Sequence, residues 1–309
     1  MTLPLGCPGC SGGMLASAGM EAAAVGVEPR RIAVIGAAGG MGRWFVRFFR
    51  DLGHEVLEAD LMTALRPVEA AAAAECTLIS VPMDRVGEVI AAVGPHVPES
   101  GLLCDVTSLK GETVAAMLAS TRASVLGMHP LFGPGATERS GHRMVLCAGR
   151  GEAWEQRMRG WLSEAGLVLL SSSPEAHDAM MAVVQVLVHV RTQVFGLALK
   201  DITENQLGAT LDETLPFISP AYLLELYIAA RHFGQSADLY GPLEMNNPKL
   251  EGVLDALASA LGRVAHTLRS RDQEGFRRVF REVDGFFGDF TAEATVITTK
   301  MIDRLARGR

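Results

Sequence analysis

The residues best suited to chemistry gather at a few points of a 309-residue chain. Ile32-Ala-Val-Ile-Gly-Ala-Ala-Gly-Gly-Met-Gly42 passes from a hydrophobic run into a helical one. Glycines there let the backbone turn tightly and approach a pyrophosphate, while the free N–H groups of the helix start meet its charge. The spacing is GxxGxxG, with Ala38 where a middle glycine is commoner, and alanine is small enough to keep the turn. Gly36, Gly39, Gly40, Met41 and Gly42 are the candidate cradle. Glycine-rich turns often hold nothing, so the context carries the reading. About twenty residues on, Val56-Leu-Glu-Ala-Asp60 closes a second apolar run with an acid. Asp60 there would bond the ribose hydroxyls of a dinucleotide and repel a 2′-phosphate, which predicts NAD over NADP. Glu58 competes for that role.

Three polar motifs fall where further strands should end: Ser80-Val-Pro-Met83, Asp105-Val-Thr-Ser-Leu-Lys110 and His129-Pro-Leu-Phe-Gly-Pro134. In open parallel sheets ligands collect outside those ends. Ser80, Val81 and Pro82 would line the cofactor. The other two motifs bring the Ser108 hydroxyl, the Lys110 ammonium and the His129 imidazole towards it. A lone histidine is usually structural; one directly after a strand and fixed by Pro130 is a better candidate base. Further on, Asp178, Gln185, His189 and Thr192 share a helical face at i, i+7, i+11 and i+14. A polar line on an apolar helix faces a buried network or a ligand. Arg231 follows Leu224, Tyr227 and Ile228 at helical spacing, so it either pairs inside the protein or binds an anionic substrate. Residue types alone leave those two equal.

The elements that must hold these groups can be read from pattern. Strands are predicted at Arg31–Gly36, Glu55–Glu58, Thr77–Val81, Leu102–Val106, Ser124–Met128, Met144–Ala148 and Leu167–Ser171, with helical segments between them. Near-continuous apolar strands alternating with helices imply a parallel sheet covered on both faces, the last strands being open to either direction. After Pro174 strand signals cease. Phe276, Val279, Phe280, Val283, Phe286, Phe287 and Phe290 make one apolar helical face. The expected organisation is a tail over 1–30, a Rossmann-type nucleotide-binding α/β domain over 31–172, and an all-helical substrate and dimerisation domain over 173–309. Helices this apolar predict a homodimer. The stretch Ala179–Leu199 is interrupted by Gln185, His189, Arg191 and Gln193, so it reads as a buried core helix and not a membrane span.

Composition narrows the class. A net charge of −7 lacks the basic field that nucleic-acid binding needs. Five cysteines, three within apolar runs, suit reduced thiols in a cytoplasmic protein. Cys7 and Cys10 form a CxxC with no second ligand pair nearby, so no metal site is expected. No Lys or Arg precedes Arg30, which argues against an export signal, and Met14 or Met20 could be the true start.

Together these motifs resemble the prephenate dehydrogenase family, in particular the dehydrogenase portion of bifunctional chorismate mutase–prephenate dehydrogenases. The resemblance runs from about Arg31 to about Asp289. It rests on Gly40-Met-Gly-Arg43, Ser80-Val-Pro82, Asp105–Lys110, and above all Leu126-Gly-Met-His-Pro-Leu-Phe-Gly-Pro134. Glu175-Ala-His-Asp-Ala-Met-Met-Ala-Val-Val-Gln185, His189, Leu224-Glu225, Arg231 and Phe286-Phe-Gly-Asp289 continue it in order. The resemblance implies oxidative decarboxylation of a cyclohexadiene with a 4-hydroxyl and a ring carboxylate. His129 would accept the hydrogen bond of the 4-hydroxyl and act as base, with Ser108 orienting that group. Arg231 would bind the ring carboxylate, Gln185 and His189 would line the pocket, and Lys110 would be a further cation.

The chain departs from the family pattern at Tyr222-Leu-Leu-Glu-Leu226, where relatives resemble Tyr-Arg-Leu-Glu-Leu, and at Val188, where relatives carry arginine. Prephenate leads as the substrate, followed by 4-amino-4-deoxyprephenate, a precursor of antibiotic building blocks, and then arogenate. No mutase domain is expected before the turn and no regulatory domain after it. A β-hydroxyacid dehydrogenase or imine reductase would share the two-domain plan but has no use for His-Pro-Leu-Phe-Gly-Pro. An NAD-sensing protein should have lost part of the set, yet His129, Ser108 and Arg231 are all present.

Overall fold

The computed structural model describes residues 30–308. The expected tail, with Cys7, Cys10, Met14 and Met20, lies outside the described residues. Seven strands form one sheet: β1 (Arg31–Ile35), β2 (Glu55–Ala59), β3 (Cys76–Ile79), β4 (Leu102–Asp105), β5 (Ser124–Pro130), β6 (Arg143–Arg150) and β7 (Val168–Ser171). Their order is β2-β1-β3-β4-β5-β6-β7. β2 through β5 pair in parallel, β6 runs antiparallel to β5, and β7 returns parallel to β6. Each predicted strand is present. The reversal left open by the pattern occurs at β6.

Helices α1 (Gly40–Asp51), α2 (Pro67–Ala73), α3 (Val86–Val93), α4 (Gly111–Ser120) and α5 (Glu152–Glu164) flank the sheet. Parallel pairing needs such crossovers, and the buried strands between them are apolar throughout because both faces are covered. On α1, Trp44, Phe45, Phe48 and Phe49 all face inward, with Phe49 meeting Trp161 of α5 edge-on at 6.2 Å. Cys76, Cys104 and Cys147 are free thiols in this interior, and burial pushes the Cys147 thiol up to about 12. The chain leaves β1 for β2 on one side and reaches β3 on the other. The crevice at this reversal lies over Gly36 and Ser80, which is where α/β sheets bind ligands.

From Pro174 onward the chain is helical: α6 (Pro174–Met181), α7 (Val188–Asp201), α8 (Leu211–Thr214), α9 (Pro220–Phe233), α10 (Ala237–Met245), α11 (Leu250–Arg269), α12 (Gln273–Phe287) and α13 (Phe290–Arg307). Ser173 caps α6 by accepting from the Ala176 N–H at 3.2 Å, and Pro174 at the first helical position needs no donor.

Two expectations are corrected here. The long apolar segment is not a buried core helix within the chain. Pro174–Gln206 is apolar enough to cross a membrane by length and composition, yet only 17% of its most apolar window is buried. Neighbouring helices cover one side alone, so Val183, Val184, Val188, Val194 and Leu197 stay exposed. Phe280, Val283, Phe286, Phe287 and Phe290 are exposed likewise. Nor is the segment one α-helix. Ala182–Leu187 is π-helical, and its wider turn shifts the register of the polar face drawn from Asp178 to Thr192.

Candidate active site

The glycine turn is built to bring backbone groups together. Gly36 has φ +85°, and a Cβ on it would sit 2.3 Å from the Ser80 carbonyl oxygen. A Cβ on Gly42 would sit 2.0 Å from the Gly36 carbonyl oxygen. No other residue type fits either place. Gly39 begins α1 without a capping side chain, so the first-turn N–H groups are left for a ligand. Asp60 follows β2 and steadies this turn: Oδ2 accepts from the Ala38 N–H at 2.9 Å and Oδ1 from the Leu61 N–H at 2.7 Å. Its remaining lone pairs are free for ribose hydroxyls. Glu58, the competitor, is engaged by Arg50 at 2.6 Å. These residues fit a dinucleotide. Replacing Asp60 by Ala is expected to shift the NAD/NADP ratio of kcat/KM towards NADP by ~10-fold or more, the worth of a charge-assisted hydrogen bond. An unchanged ratio would remove Asp60 from cofactor choice.

His129 stands one residue before the end of β5; it is inside the strand and not after it as the sequence suggested. The loop that follows folds back so that Pro134 lies against Gly40, where a Cβ would meet the Pro134 Cγ at 2.9 Å. That contact sets the imidazole and the phosphate cradle on one edge of the sheet. His129 is 3% exposed, and its Nδ1 is 2.9 Å from His177 Nε2 on α6. His177 Nδ1 is in turn 2.8 Å from Asp178 Oδ1. Among the described residues His129 Nε2 has no hydrogen-bond partner. Burial, then the Lys110 and His177 charges, hold the His129 imidazole well below its ordinary 6.5. It is a neutral acceptor at physiological pH.

The structure turns Lys110, a predicted substrate cation, inward. Its side chain is 0% exposed, and its ammonium is bound to the Asp105 carboxylate, the Met128 carbonyl at 2.9 Å and Thr107 Oγ1 at 3.3 Å. All three of its donors are used within the protein. Lys110 therefore fixes the ends of β4 and β5, the latter beside His129, and presents no charge to a substrate. Ser108, in the same turn, is half-buried.

On the helical side, Gln185 Oε1 and His189 Nδ1 are buried without hydrogen-bond partners among the described residues. His189 Nδ1 is 3.3 Å from Glu244 Oε1, too poorly aligned for a hydrogen bond. Burial lowers the His189 imidazole, with Glu244 opposing. Gln193 Nε2 holds both Glu244 oxygens at 3.0 Å. The His189 and Tyr240 rings meet at 4.6 Å, and Tyr240 stacks on His232 at 4.4 Å. Arg231 does not lie on a buried apolar face. It is exposed near the end of α9, close enough to Tyr240 for its charge to act on the phenol.

The sequence did not single out His177, Tyr240 or Glu244. The first could have been found from the Glu175-Ala-His-Asp178 string, where a donor precedes an acid; the others leave no sequence signal, since only folding brings α10 to α7.

A phosphate cradle and a buried base with a free lone pair, placed on one edge of a sheet, complement each other chemically. A dinucleotide held in the cradle would supply the hydride acceptor, and the neutral imidazole has a lone pair that can take a proton. The fold and site thus define a two-domain, nucleotide-dependent oxidoreductase. Family profiles agree: one described as prephenate dehydrogenase, nucleotide-binding domain, matches residues 54–149, and one described as prephenate dehydrogenase, dimerization domain, matches 173–282. The chain is 31% identical over 262 residues to the T-protein of Enterobacter agglomerans, covering 85% of this chain and 69% of that one. The chain belongs to the prephenate dehydrogenase family.

It is also 27% identical over 290 residues to a probable arogenate/prephenate dehydrogenase of Methanocaldococcus jannaschii, covering 88% of this chain and 64% of that one. The chain thus spans about two thirds of the length of these two relatives. Identity to a 4-amino-4-deoxyprephenate dehydrogenase of Streptomyces pristinaespiralis is 26% over 296 residues, covering 89% and 97%. The fold matches that of prephenate dehydrogenase from A. aeolicus in complex with hydroxyphenyl propionate and NAD+, with a TM-score of 0.69, 15% identity, and 84% and 97% coverage.

Proposed function

We propose that this chain catalyses the NAD-dependent oxidative decarboxylation of prephenate or a close analogue, giving 4-hydroxyphenylpyruvate from prephenate itself. The observation that carries the reading is buried His129, whose Nε2 has no hydrogen-bond partner among the described residues, on the same sheet edge as the glycine cradle. Gly36–Gly42 hold the pyrophosphate, Asp60 the adenosine ribose, and Ser80-Val-Pro82 the wall of the crevice. The nicotinamide, when bound, supplies the hydride acceptor.

His129 Nε2 accepts the hydrogen bond of the 4-hydroxyl and draws electron density towards C4 as the C4–H pair leaves. Ser108 orients the same hydroxyl. Breaking the bond from the ring to its carboxylate then supplies the pair that makes the ring aromatic, with carbon dioxide as the leaving group. Arg231 holds the ring carboxylate, and Gln185 and His189 line the pocket, with Gln185 Oε1 and His189 Nδ1 buried without a hydrogen-bond partner among the described residues. The two units act as a nucleotide domain over 31–172 and a substrate and dimerisation domain over 173–309. Two copies joined through the exposed apolar faces of α7 and α12 make a cytoplasmic homodimer.

Arg231→Gln is expected to raise KM for substrate by at least about 30-fold, for loss of a charge-assisted pair of ~2–5 kcal/mol. A KM within twofold of the parent would make Arg231 a surface residue only.

A second reading is supported by the Streptomyces relative, which this chain spans almost end to end. In 4-amino-4-deoxyprephenate an amine replaces the 4-hydroxyl, and His129 Nε2 can accept from either group. Supplying NAD with prephenate, arogenate and 4-amino-4-deoxyprephenate separately, and following NADH absorbance, decides between them. Turnover of none of the three would overturn the proposed function.

A further inference from the structure

The reading of His129 as base leaves a question of proton placement. Imidazole can act as a base at Nε2 only if its single proton sits on Nδ1. A free histidine interconverts its tautomers, so something must hold this one.

The chain of contacts behind His129 settles the direction. Asp178 is surrounded by donors. Its Oδ1 accepts from the Lys110 backbone N–H at 2.8 Å and its Oδ2 from the Gly111 N–H at 2.8 Å. Burial alone would push this carboxyl up, but the hydrogen bonds from His177, Gly111 and Lys110 hold it below the ordinary carboxylate value. An ionised carboxylate can only accept, so His177 must donate to it from Nδ1, 2.8 Å away. If its ring carries a single proton, His177 then offers His129 only a lone pair on Nε2. That lone pair faces His129 Nδ1 at 2.9 Å, with the rings near edge-on at 76°, so His129 must donate from Nδ1. What remains on His129 is an unprotonated Nε2.

We infer that His177 and Asp178 are positioning residues that fix the tautomer of His129, and that this ordering comes from the helical domain. His177 and Asp178 belong to α6, whereas His129 belongs to β5 and Lys110-Gly111 to the start of α4. Asp178 therefore caps a helix of the sheet domain while it orients a histidine beside the nucleotide crevice. The approach is close: a Cβ on Gly111 would lie 3.1 Å from Asp178 Oδ2. Asn247, just beyond α10, holds the Asp178 carbonyl at 3.0 Å and keeps α6 in place. His177 is 1% exposed and Asp178 4%, so water cannot substitute for either. The charged groups around the relay are Lys110 and Asp105 from the sheet domain, which neutralise each other, and Asp178 itself. As positive charge develops on His129, its Nδ1–H strengthens the bond to His177, and the Asp178 carboxylate stabilises the pair.

The inference rests on the assignment of His129 as base, but its test does not. Nitrogen-15 imidazole spectra of the whole protein without ligand report which ring nitrogen carries hydrogen. Nδ1–H with bare Nε2 is expected for both His129 and His177, assigned by loss of each signal in His129→Asn and His177→Gln. A protonated Nε2 on either ring, or a doubly protonated His177, would overturn the relay whatever the substrate.

Kinetics give the second arm. A glutamine at 177 can accept from His129 through its oxygen and donate to Asp178 through its nitrogen, while a leucine can do neither. His177→Gln is expected to lose less than about tenfold in kcat, and His177→Leu more than about a hundredfold, with KM and NAD affinity within threefold of the parent in both. Equal losses in the two variants, or a loss seen only in KM, would reduce His177 to a packing residue. An inactive His129→Asn beside a fully active His177→Leu would leave the base intact and remove the relay alone.

Discussion

Replacing His129 by Asn lowers kcat by about 10²–10⁴-fold, the usual worth of a positioned general base, and leaves the dissociation constant for NAD within twofold. Asparagine keeps a polar group of similar reach at the end of β5. It can still bond His177 through its amide, so the packing behind it survives. What it lacks is a nitrogen lone pair able to take a proton. The glycine cradle and Asp60 are untouched by the change, which is why binding and turnover separate. The pH dependence carries a sign that can be checked. The His129 pKa lies well below 6.5 because burial, then Lys110 and His177, disfavour the imidazolium. kcat/KM should therefore stay level as pH falls through 6.5 and decline only below that, where the folded enzyme begins to protonate. Stability follows the same group. The unfolded chain binds a proton on this histidine near pH 6.5 and the folded chain does not, so stability is lost as pH falls below that value. Stopped-flow NADH formation and titration calorimetry with NAD measure the two quantities. Loss of NAD affinity equal to the loss of turnover would mean that His129 supports the fold of the site and is not its base.

Lys110→Met is expected to cost about 3–5 kcal/mol of folding stability, seen as a fall in Tm of roughly 10 °C. Methionine matches the length of the lysine stem, so the volume stays filled. The Asp105 carboxylate is left behind with both side chains of the pair 0% exposed. Among the described residues its Oδ1 already lacks a hydrogen-bond partner. Thr107 would still donate to Oδ2 from its N–H at 2.9 Å and from its hydroxyl, but a buried carboxylate without its counter-charge is costlier than the pair was favourable. Calorimetric melting with and without NAD measures the effect. A Tm within 2 °C of the parent, with a raised substrate KM, would return Lys110 to the role the sequence suggested, a cation for the substrate. The double change Lys110→Met with Asp105→Asn should recover part of the loss, because it removes the orphaned charge.

How much of this was legible in the sequence depends on how local each cause is. The strands were legible because burial on both faces forces continuous apolar runs, and β1 through β5 and β7 lie where those runs do. The glycine turn and Asp60 were legible for a similar reason: a short segment carries its own steric requirement, and Gly36 and Gly42 have no space for a side chain. His129 was found through its place at a strand end. The reach of β5 through His129 to Pro130 was not, since it depends on pairing with β6. The burial of Lys110 is not legible because its partners, Asp105 and the Met128 carbonyl, fix it only after β4 and β5 have paired. The apolar stretch Ala179–Leu199 reads as core in the sequence because apolar character shows that a face must be covered but not by what. The polar stripe upon it was drawn with a constant turn, which the π segment at Ala182–Leu187 breaks.

The sequence by itself determined what is covalent or nearest-neighbour: the alternation of strands and helices, the glycine cradle, the acid after β2, and the His-Pro-Leu-Phe-Gly-Pro134 string that marks the family. Tertiary structure alone decided how protons and charges are placed. Whether Lys110 faces a ligand or Asp105, and what stands against each nitrogen of His129, depend on contacts between elements far apart in the chain. His177 and His129 are 48 residues apart in sequence, and Asp178 and Lys110 are 68 apart. Hydrogen-bond direction and burial act over a few ångströms of space, so no spacing along the chain can encode them.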